Sequence, residues 1–412
     1  MTETIINDIN YRLDEDNLTA EVIKKNGGYE DDIFIFKTVV YNGLPYRVTS
    51  IGEEAFQFCS SLTSIIIPDS VNGIGDYAFC GCESLTKINL PNGVTSIGVE
   101  AFSGCKSLTK ITIPDSVTKI EWGAFSHCES LTSIIIPGSV NSIGNDAFSY
   151  CNSLKTITMP DSITSIGDSA FLYCESLTEV TIPNSVKSIE RAAFMDCPSL
   201  TTIIIPDSVK NIGGLAFSGC SSLTSVVISD GVNRIGGHAF EGCTSLTSIT
   251  IPSSINSISD DAFEGCYSLT SIVVAEDNNV YDSRENCNAI IETGTNTLIL
   301  GCQTSIIPDS VTDIGKKAFA LCETLTSITI PNGVKSIGTE AFRYCELLTD
   351  ITVPASVESI GGLAFDWCEK LNSITFQGTK AQWEDIKLGE HLKNSEVPAR
   401  VVHCTDGDVE IY

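Results

Sequence analysis

The sequence predicts one α/β repeat solenoid of right-handed coils, and three rows of residues predict it. Cysteine recurs every 23 residues from Cys59 through Cys82, Cys105 and Cys128 to Cys266, and the step returns at Cys322, Cys345 and Cys368. Phenylalanine keeps the same step at thirteen positions from Phe56 to Phe365, each preceded by an alanine, from Ala55 to Ala364. A leucine row from Leu62 to Leu371 is equally complete.

A fixed period in the range of about 20 to 29 residues, with leucine and isoleucine spaced L-x-x-I-x-I, reads as a leucine-rich repeat. Within one unit, Leu62-Thr63-Ser64-Ile65-Ile66-Ile67-Pro68 alternates and is β-branched, so it predicts a strand. Leu62, Ile65 and Ile67 are expected inside, and Ser64 and Ile66 outside. Pro68 offers no ladder donor and ends the strand, and Asp69-Ser70 supplies a turn. Val71 and Ile74 turn back to the core, a short helical or 3-10 stretch on the convex side carries Ala78-Phe79, and Cys82 closes the unit. Stacking places the strands in a parallel, concave β-sheet at about 4.8 Å per coil, so about fourteen coils extend some 65 Å. The phenylalanines are expected to stack as a spine. The glycine row after the isoleucine admits Glu121, Glu190 and Ser259, so crowding or turn preference explains it better than a left-handed backbone.

Three segments leave the period and set the boundaries. Residues 1–50, with Asp32-Ile33-Phe34-Ile35-Phe36 and the turn pair Asn42-Gly43, predict a β-rich cap, because the first coil otherwise exposes its apolar end. Repeats fill 51–274. Residues 275–304 predict a β-hairpin insertion, with two apolar runs around Thr293-Gly294-Thr295-Asn296. Repeats resume over 305–376, and 377–412 form a second cap with Trp383.

The unit C-x-S-L-T-x-I-x-I-P-x-S-V-x-x-I-G-x-x-A-F resembles the BspA-like subgroup of leucine-rich repeats. So do the insertion Asn286-Cys287-Asn288-Ala289-Ile290-Ile291 and the tail elements Gly378-Thr379-Lys380-Ala381-Gln382-Trp383 and Cys404-Thr405-Asp406-Gly407. That family occurs in gut and oral bacteria and in some parasitic protists. The resemblance implies a cell-surface or secreted protein, and a protein partner such as host extracellular matrix or a receptor.

Composition narrows the classes further. Fifty-two acidic against 24 basic side chains give a net charge of −28, which repels phosphate backbones and excludes nucleic acid as a partner. No apolar run reaches the 18 residues that suggest a membrane-spanning helix, so membrane insertion is not expected. The first residues show neither a basic stretch nor an apolar one, so no secretory signal is read there. This favours the cytoplasmic alternative, an intracellular interaction scaffold.

The reactive residue types each suggest a chemistry. Seventeen cysteines invite disulfides or metal, but those on the repeat row have equivalent neighbours on both sides and read as a ladder of small buried hydrophobes. With Gly294-Thr295 as a two-residue loop, Ile291 pairs with Leu298 and Cys287 falls opposite Cys302, which leaves a cross-hairpin disulfide open beside two free thiols. Cys80-Gly81-Cys82 lacks the second pair a zinc site needs. His127 and His238 lie on different rows, and His403 with His391 makes at most a partial metal site. Asp69, Asp115, Asp161 and Asp207 recur at alternate units, as turn-makers or as calcium ligands. No catalytic constellation and no cofactor site emerges, no metal site is expected, and a glycan hydrolase lacks any marked carboxylate pair.

The binding candidate is the outward row of the concave strands: Ile66, Asn89, Thr112, Ile135, Thr158, Thr181, Ile204 and Val227, continued by Thr250. Ile66, Ile135 and Ile204 recur every third unit, about 14 Å apart, although β-branched residues are favoured on strands without any partner. Lys87 and Lys110 stand on the row beside them. The expectation is a non-catalytic protein-binding or adhesion module.

Overall fold

The computed structural model describes residues 1–389 and 399–411, so the His391 considered above lies outside the described residues. The chain divides into two compact units, Met1–Cys220 and Ser221–Tyr412.

The first unit opens with an antiparallel meander, Thr2–Ile6, Ile9–Asp14 and Thr19–Val22. Strand Thr38–Tyr41 folds back on Leu44–Ile51 through Asn42-Gly43, whose φ values of +51° and +79° match the two-residue turn those residue types favour. Two rows of coil strands start from this segment. Asp31–Phe34 runs parallel to Leu62–Ile66, and Leu44–Ile51 runs parallel to Gly73–Ile74. The second row was not foreseen as a strand. It is two residues wide in most coils, from Gly73–Ile74 through Ser142–Ile143 and Ser165–Ile166 to Asn211–Ile212, and narrows to a single bridge at Ile120. Each β-branched isoleucine in it points inward and is fully buried. Coils add in one register, Ile65 beside Ile88 and Ile134 beside Ile157.

The segment carrying Ala-Phe is a run of turns, which corrects the expectation of a helical or 3-10 stretch. Among the described residues, helix is confined to the 3-10 turn Arg284–Asn286 and the α-helix Lys380–Glu384, both outside the repeated coils. The reason is a left-handed residue at two places in each coil of the first unit. The residue before alanine has φ +56° at Tyr77, +48° at Glu100 and +53° at Asp146, and the residue before cysteine has φ +71° at Gly104, +56° at His127 and +58° at Tyr150. A helix keeps every residue right-handed and sends every amide back along its own chain. Here the amides alternate. Those of Ala78, Cys80 and Cys82 donate to Gly75, Tyr77 and Phe79 of their own coil, while those of Tyr77, Phe79 and Gly81 donate to Val99, Ala101 and Ser103 of the next.

Inter-coil amides at every second residue hold the phenylalanines in a column. From Phe56 to Phe217 the rings stack with centroids 5.1 to 5.5 Å apart and planes within 8°. Tyr29 closes the near end at 4.7 Å from Phe56. The cysteine thiols lie beside this column and donate backwards, Cys82 to the Phe56 carbonyl at 3.0 Å and Cys105 to Phe79 at 3.3 Å. Cysteine suits the site because it fills a small apolar space and still carries a donor. The glycine row proves to be a matter of space. A Cβ on Gly144 would stand 2.7 Å from the Glu121 carbonyl carbon, and one on Gly213 would stand 2.6 Å from that of Glu190.

In the second unit Ser225–Ile228, Ser248–Ile251 and Ser271–Val274 continue the first type of row, and Arg234–Ile235 with Ser257–Ile258 the second. The insertion follows as strands Tyr281–Asp282, Ile290–Glu292 and Thr297–Leu300. Ile291 does face Leu298, but a bulge between Ile290 and Ile291 moves Ile290 opposite Leu300. Beyond the bulge Cys287 and Cys302 lose the facing register. Both are buried thiols, directed at the carbonyls of Ala289 and Asn288. Leu298 pairs in parallel with Ile314, so the hairpin feeds the next coil, and Phe319, Phe342 and Phe365 form a further stack. At the end Trp383, on the helix capped by Thr379 and Gln382, packs edge-on against Phe376 at 5.3 Å. Strand Val401–Cys404 runs parallel to Ser373–Phe376.

Two substitutions in one coil are expected to act with opposite sign. Ser169 has φ +53°, so Ser169→Gly relieves backbone strain and raises stability by about 1 kcal/mol. Gly167→Ala places a methyl 2.7 Å from the Gly144 carbonyl carbon and lowers stability by about 1–3 kcal/mol; urea midpoints of the two variants test both signs. The thiol ladder sets an alkaline limit. Burial pushes Cys151, Cys220 and Cys266 from the ordinary value of 9.0 up to about 12. Folded values raised above unfolded ones give stability that is complete below pH 9 and lost as pH climbs from there towards 12. The urea midpoint is therefore expected to fall steadily across that window, and a flat profile would contradict it.

Candidate functional site

Strand alternation sends every second side chain outward. On the first type of row it buries Ile65, Ile67, Ile134, Ile136, Ile203 and Ile205 and exposes the residues between them. Ile66, Ile135 and Ile204 are 58%, 70% and 63% exposed, and Val227 in the second unit is 50% exposed. Asn89, Thr112, Thr158, Thr181 and Thr250 are exposed as well. Parallel register aligns Ile66 beside Asn89, and Ile135 beside Thr158. At Lys110 and Glu179 the strands narrow to single bridges, and beside the second of these Thr181 and Ile204 border a shallow depression with Asp161 and Asn184.

The row is held by its neighbours as well as its amides. Several of the threonines that follow a repeat leucine donate to the preceding coil, Thr86 to the Thr63 carbonyl at 3.3 Å and Thr178 to that of Lys155 at 3.4 Å. At the amino-terminal end Asp32 accepts from the hydroxyls of Ser64 at 2.6 Å and Thr63 at 2.8 Å, and these two bonds hold its carboxyl below the usual range. Lys87 and Lys110 are exposed and adjacent in register on the next row out. The face therefore offers apolar side chains at fixed intervals, with hydroxyl groups and amide between them and two cations to one side.

The structure adds residues that the repeat count missed. Phe34 faces Ile66 and extends the row backwards, exposed at 52%, with Phe36 packed edge-on to it at 4.8 Å. In the second unit Val273 stands beside Thr250 and is exposed, and Ile306 is exposed just before Ile307-Pro308. Phe34 has no cysteine ruler before it, because the first full unit begins after it. Ile306 could have been found from its place two residues before Pro308, as Ile66 stands before Pro68.

The other residues weighed for chemistry are spread apart. His127 stacks on Tyr150 at 4.4 Å, and Tyr150 on Tyr173 at 4.9 Å, along the turns. His403 pairs with Asp408 at 2.9 Å across the terminal hairpin. Among the described residues, Asp69, Asp115, Asp161 and Asp207 are not gathered into any group of three metal ligands.

The chain belongs to the BspA-type leucine-rich-repeat family. The model of the BspA type leucine rich repeat region, in six copies, matches residues 49–178, 164–289 and 300–389. Among solved structures it is similar to a leucine-rich repeat protein from Bacteroides ovatus, at 30% identity and a TM-score of 0.76, over 98% of this chain and 100% of that one. It is also similar to a leucine rich cell surface protein from Faecalibacterium prausnitzii, at 31% identity and a TM-score of 0.58, over 94% and 98% of the two chains. No curated protein matches the chain. Among the described residues no helix is long and apolar enough to cross a membrane.

Because the outward isoleucines pack against little of their own chain, replacing them is expected to leave the fold intact. Ile66→Asp, Ile135→Asp and Ile204→Asp should each shift stability by less than about 0.5 kcal/mol. Phe125→Ala in the ring column should cost about 3–5 kcal/mol. Urea midpoints compare the two sets, and a large loss from the outward variants would reassign those residues to the core.

Proposed function

We propose that this protein is a non-catalytic binding module that engages a protein partner through the outward strand row, acting at the cell surface or after secretion. The observation that carries the reading is the exposure of Ile66, Ile135 and Ile204, each near or above three-fifths, on strands whose spacing is set by the coils. Isolated exposed apolar residues need no explanation, but repeated ones on a rigid face are suited to binding. Phe34 and Phe36 add aromatic anchors at one end, the residue type that dominates binding energy where a partner buries it. Leucine-rich-repeat proteins generally act in protein interaction, and a similar chain from Faecalibacterium prausnitzii is described as a cell surface protein. The β-rich segments at the two ends serve in this reading as caps on the apolar ends of the coil stack.

Solid-phase binding to a panel of extracellular matrix proteins tests the partner class. An Ile66→Asp/Ile135→Asp/Ile204→Asp variant is expected to lose at least about tenfold in affinity for any matrix protein the parent binds, which corresponds to about 1.4 kcal/mol. Unchanged binding by this variant would remove the row from the site.

One observation favours a second reading, an intracellular scaffold using the same face. Cys82, Cys105, Cys128, Cys151, Cys174, Cys197 and Cys220 are buried thiols rather than disulfides, the form a reducing compartment maintains. Protease treatment of intact source cells separates the two. Loss of the protein with a cytosolic marker spared places it outside, and survival until lysis places it inside.

A further inference from the structure

The turn face of the second unit carries a cluster that the binding face does not use. The position after each repeat phenylalanine holds a small buried serine at Ser103, Ser126, Ser149 and Ser218 in the first unit. In two adjacent coils of the second unit it holds Glu241 and Glu264. His238 stands in the first of these coils, three residues before Glu241, and Asp261 holds the same place in the next.

The histidine is oriented. Its Nε2 lies 3.0 Å from an Asp261 oxygen, and Asp261 is itself fixed by the Ser259 hydroxyl at 2.7 Å and the His238 amide at 3.3 Å. In the neutral ring, a proton on Nε2 directed at a carboxylate puts the free electron pair on Nδ1. That Nδ1 is buried and has no hydrogen-bond partner. It faces Glu241 Oε2 at 3.1 Å and Glu264 Oε2 at 3.8 Å, and the three ligand atoms lie within 4.8 Å of one another. A free pair pointed at two carboxylates is repulsive unless a metal ion or a proton lies between them, and the two carboxylates with the ring nitrogen make a set of ligand atoms a metal ion can span. Zinc bonds of about 2.0–2.1 Å in a tetrahedron separate neighbouring ligand atoms by about 3.3–3.4 Å, and the two nitrogen-to-oxygen distances fall on either side of that value.

We propose that His238, Glu241 and Glu264 form a zinc site that ties two adjacent coils together, with Asp261 as a positioning residue. One nitrogen and two carboxylate oxygens suit a borderline divalent ion better than magnesium or calcium, which prefer all-oxygen shells. The Asp261 carboxylate behind the ring is the outer-shell partner that ligating histidines almost always have. Lys317 works against the site. Its ammonium lies 3.0 and 2.9 Å from the two Glu264 oxygens, so it competes with the ion for that carboxylate.

The test uses the full chain, stripped with a chelator and dialysed against zinc chloride, with bound zinc measured by atomic emission. One equivalent is expected, with a higher melting temperature when zinc is present. His238→Ala and Glu264→Gln should each weaken binding at least about tenfold, and Asp261→Asn about tenfold. Lys317→Met should tighten it, a gain that misfolding cannot mimic. Cobalt in place of zinc should give visible bands without a thiolate charge-transfer band in the near ultraviolet. The proposal is overturned by the lack of a saturable equivalent, by zinc binding that His238→Ala and Glu264→Gln leave unchanged, or by a thiolate band placing the metal on cysteine.

Discussion

The rest of the structure depends on how the backbone turns at Ala-Phe-x-x-Cys. Two left-handed residues per coil make the amides alternate, one bonding locally and the next reaching the neighbouring coil. Buried amides must find partners, and this arrangement satisfies them while locking each coil to the next. The ring separations of 5.1 to 5.5 Å in the first unit follow from it. So does the placement of each cysteine thiol under the phenylalanine carbonyl of the coil before. A helix at this position would leave the coils joined on this side through side chains alone, with backbone pairing kept only along the strand rows.

Once the coils are locked, the interior becomes repetitive and the surface carries what distinguishes one coil from another. Inside, leucine, isoleucine, alanine, phenylalanine and cysteine recur because neighbouring copies of one site meet the same surroundings. Outside, each row reads as a short sequence of its own. On the strand face that sequence alternates isoleucine with threonine and asparagine. On the turn face of the second unit the position after the phenylalanine carries Glu241 and Glu264, where four coils of the first unit place serine. The proposed binding row and the proposed zinc site both lie in these departures from the repeat.

The period, the inward and outward sides of the first strand row, the hairpin turn at 293–296 and the facing of Ile291 with Leu298 were all legible in the sequence. They depend on alternation and on residues close together in the chain. The turn segment reads as helical in the sequence because alanine, phenylalanine and polar neighbours also fit a helix. The left-handed positions carry tyrosine, glutamate, aspartate and histidine as readily as glycine, so composition gives no sign of them. The bulge at Ile290 was equally hidden, since one extra residue in a strand leaves the hydrophobic pattern on either side unchanged.

By itself the sequence determined the repeat, its family and the identity of the buried rows, because a 23-residue period can bury its apolar face only by stacking on its own copies. Tertiary structure alone decided what lies beside what between coils. Phe34 joins the outward row through pairing across some thirty residues, and His238 meets Glu264 only because the coils stack in strict register. The physical reason is that local preference acts within a coil, whereas neighbours in adjacent coils are chosen by hydrogen bonds that form after the chain has turned.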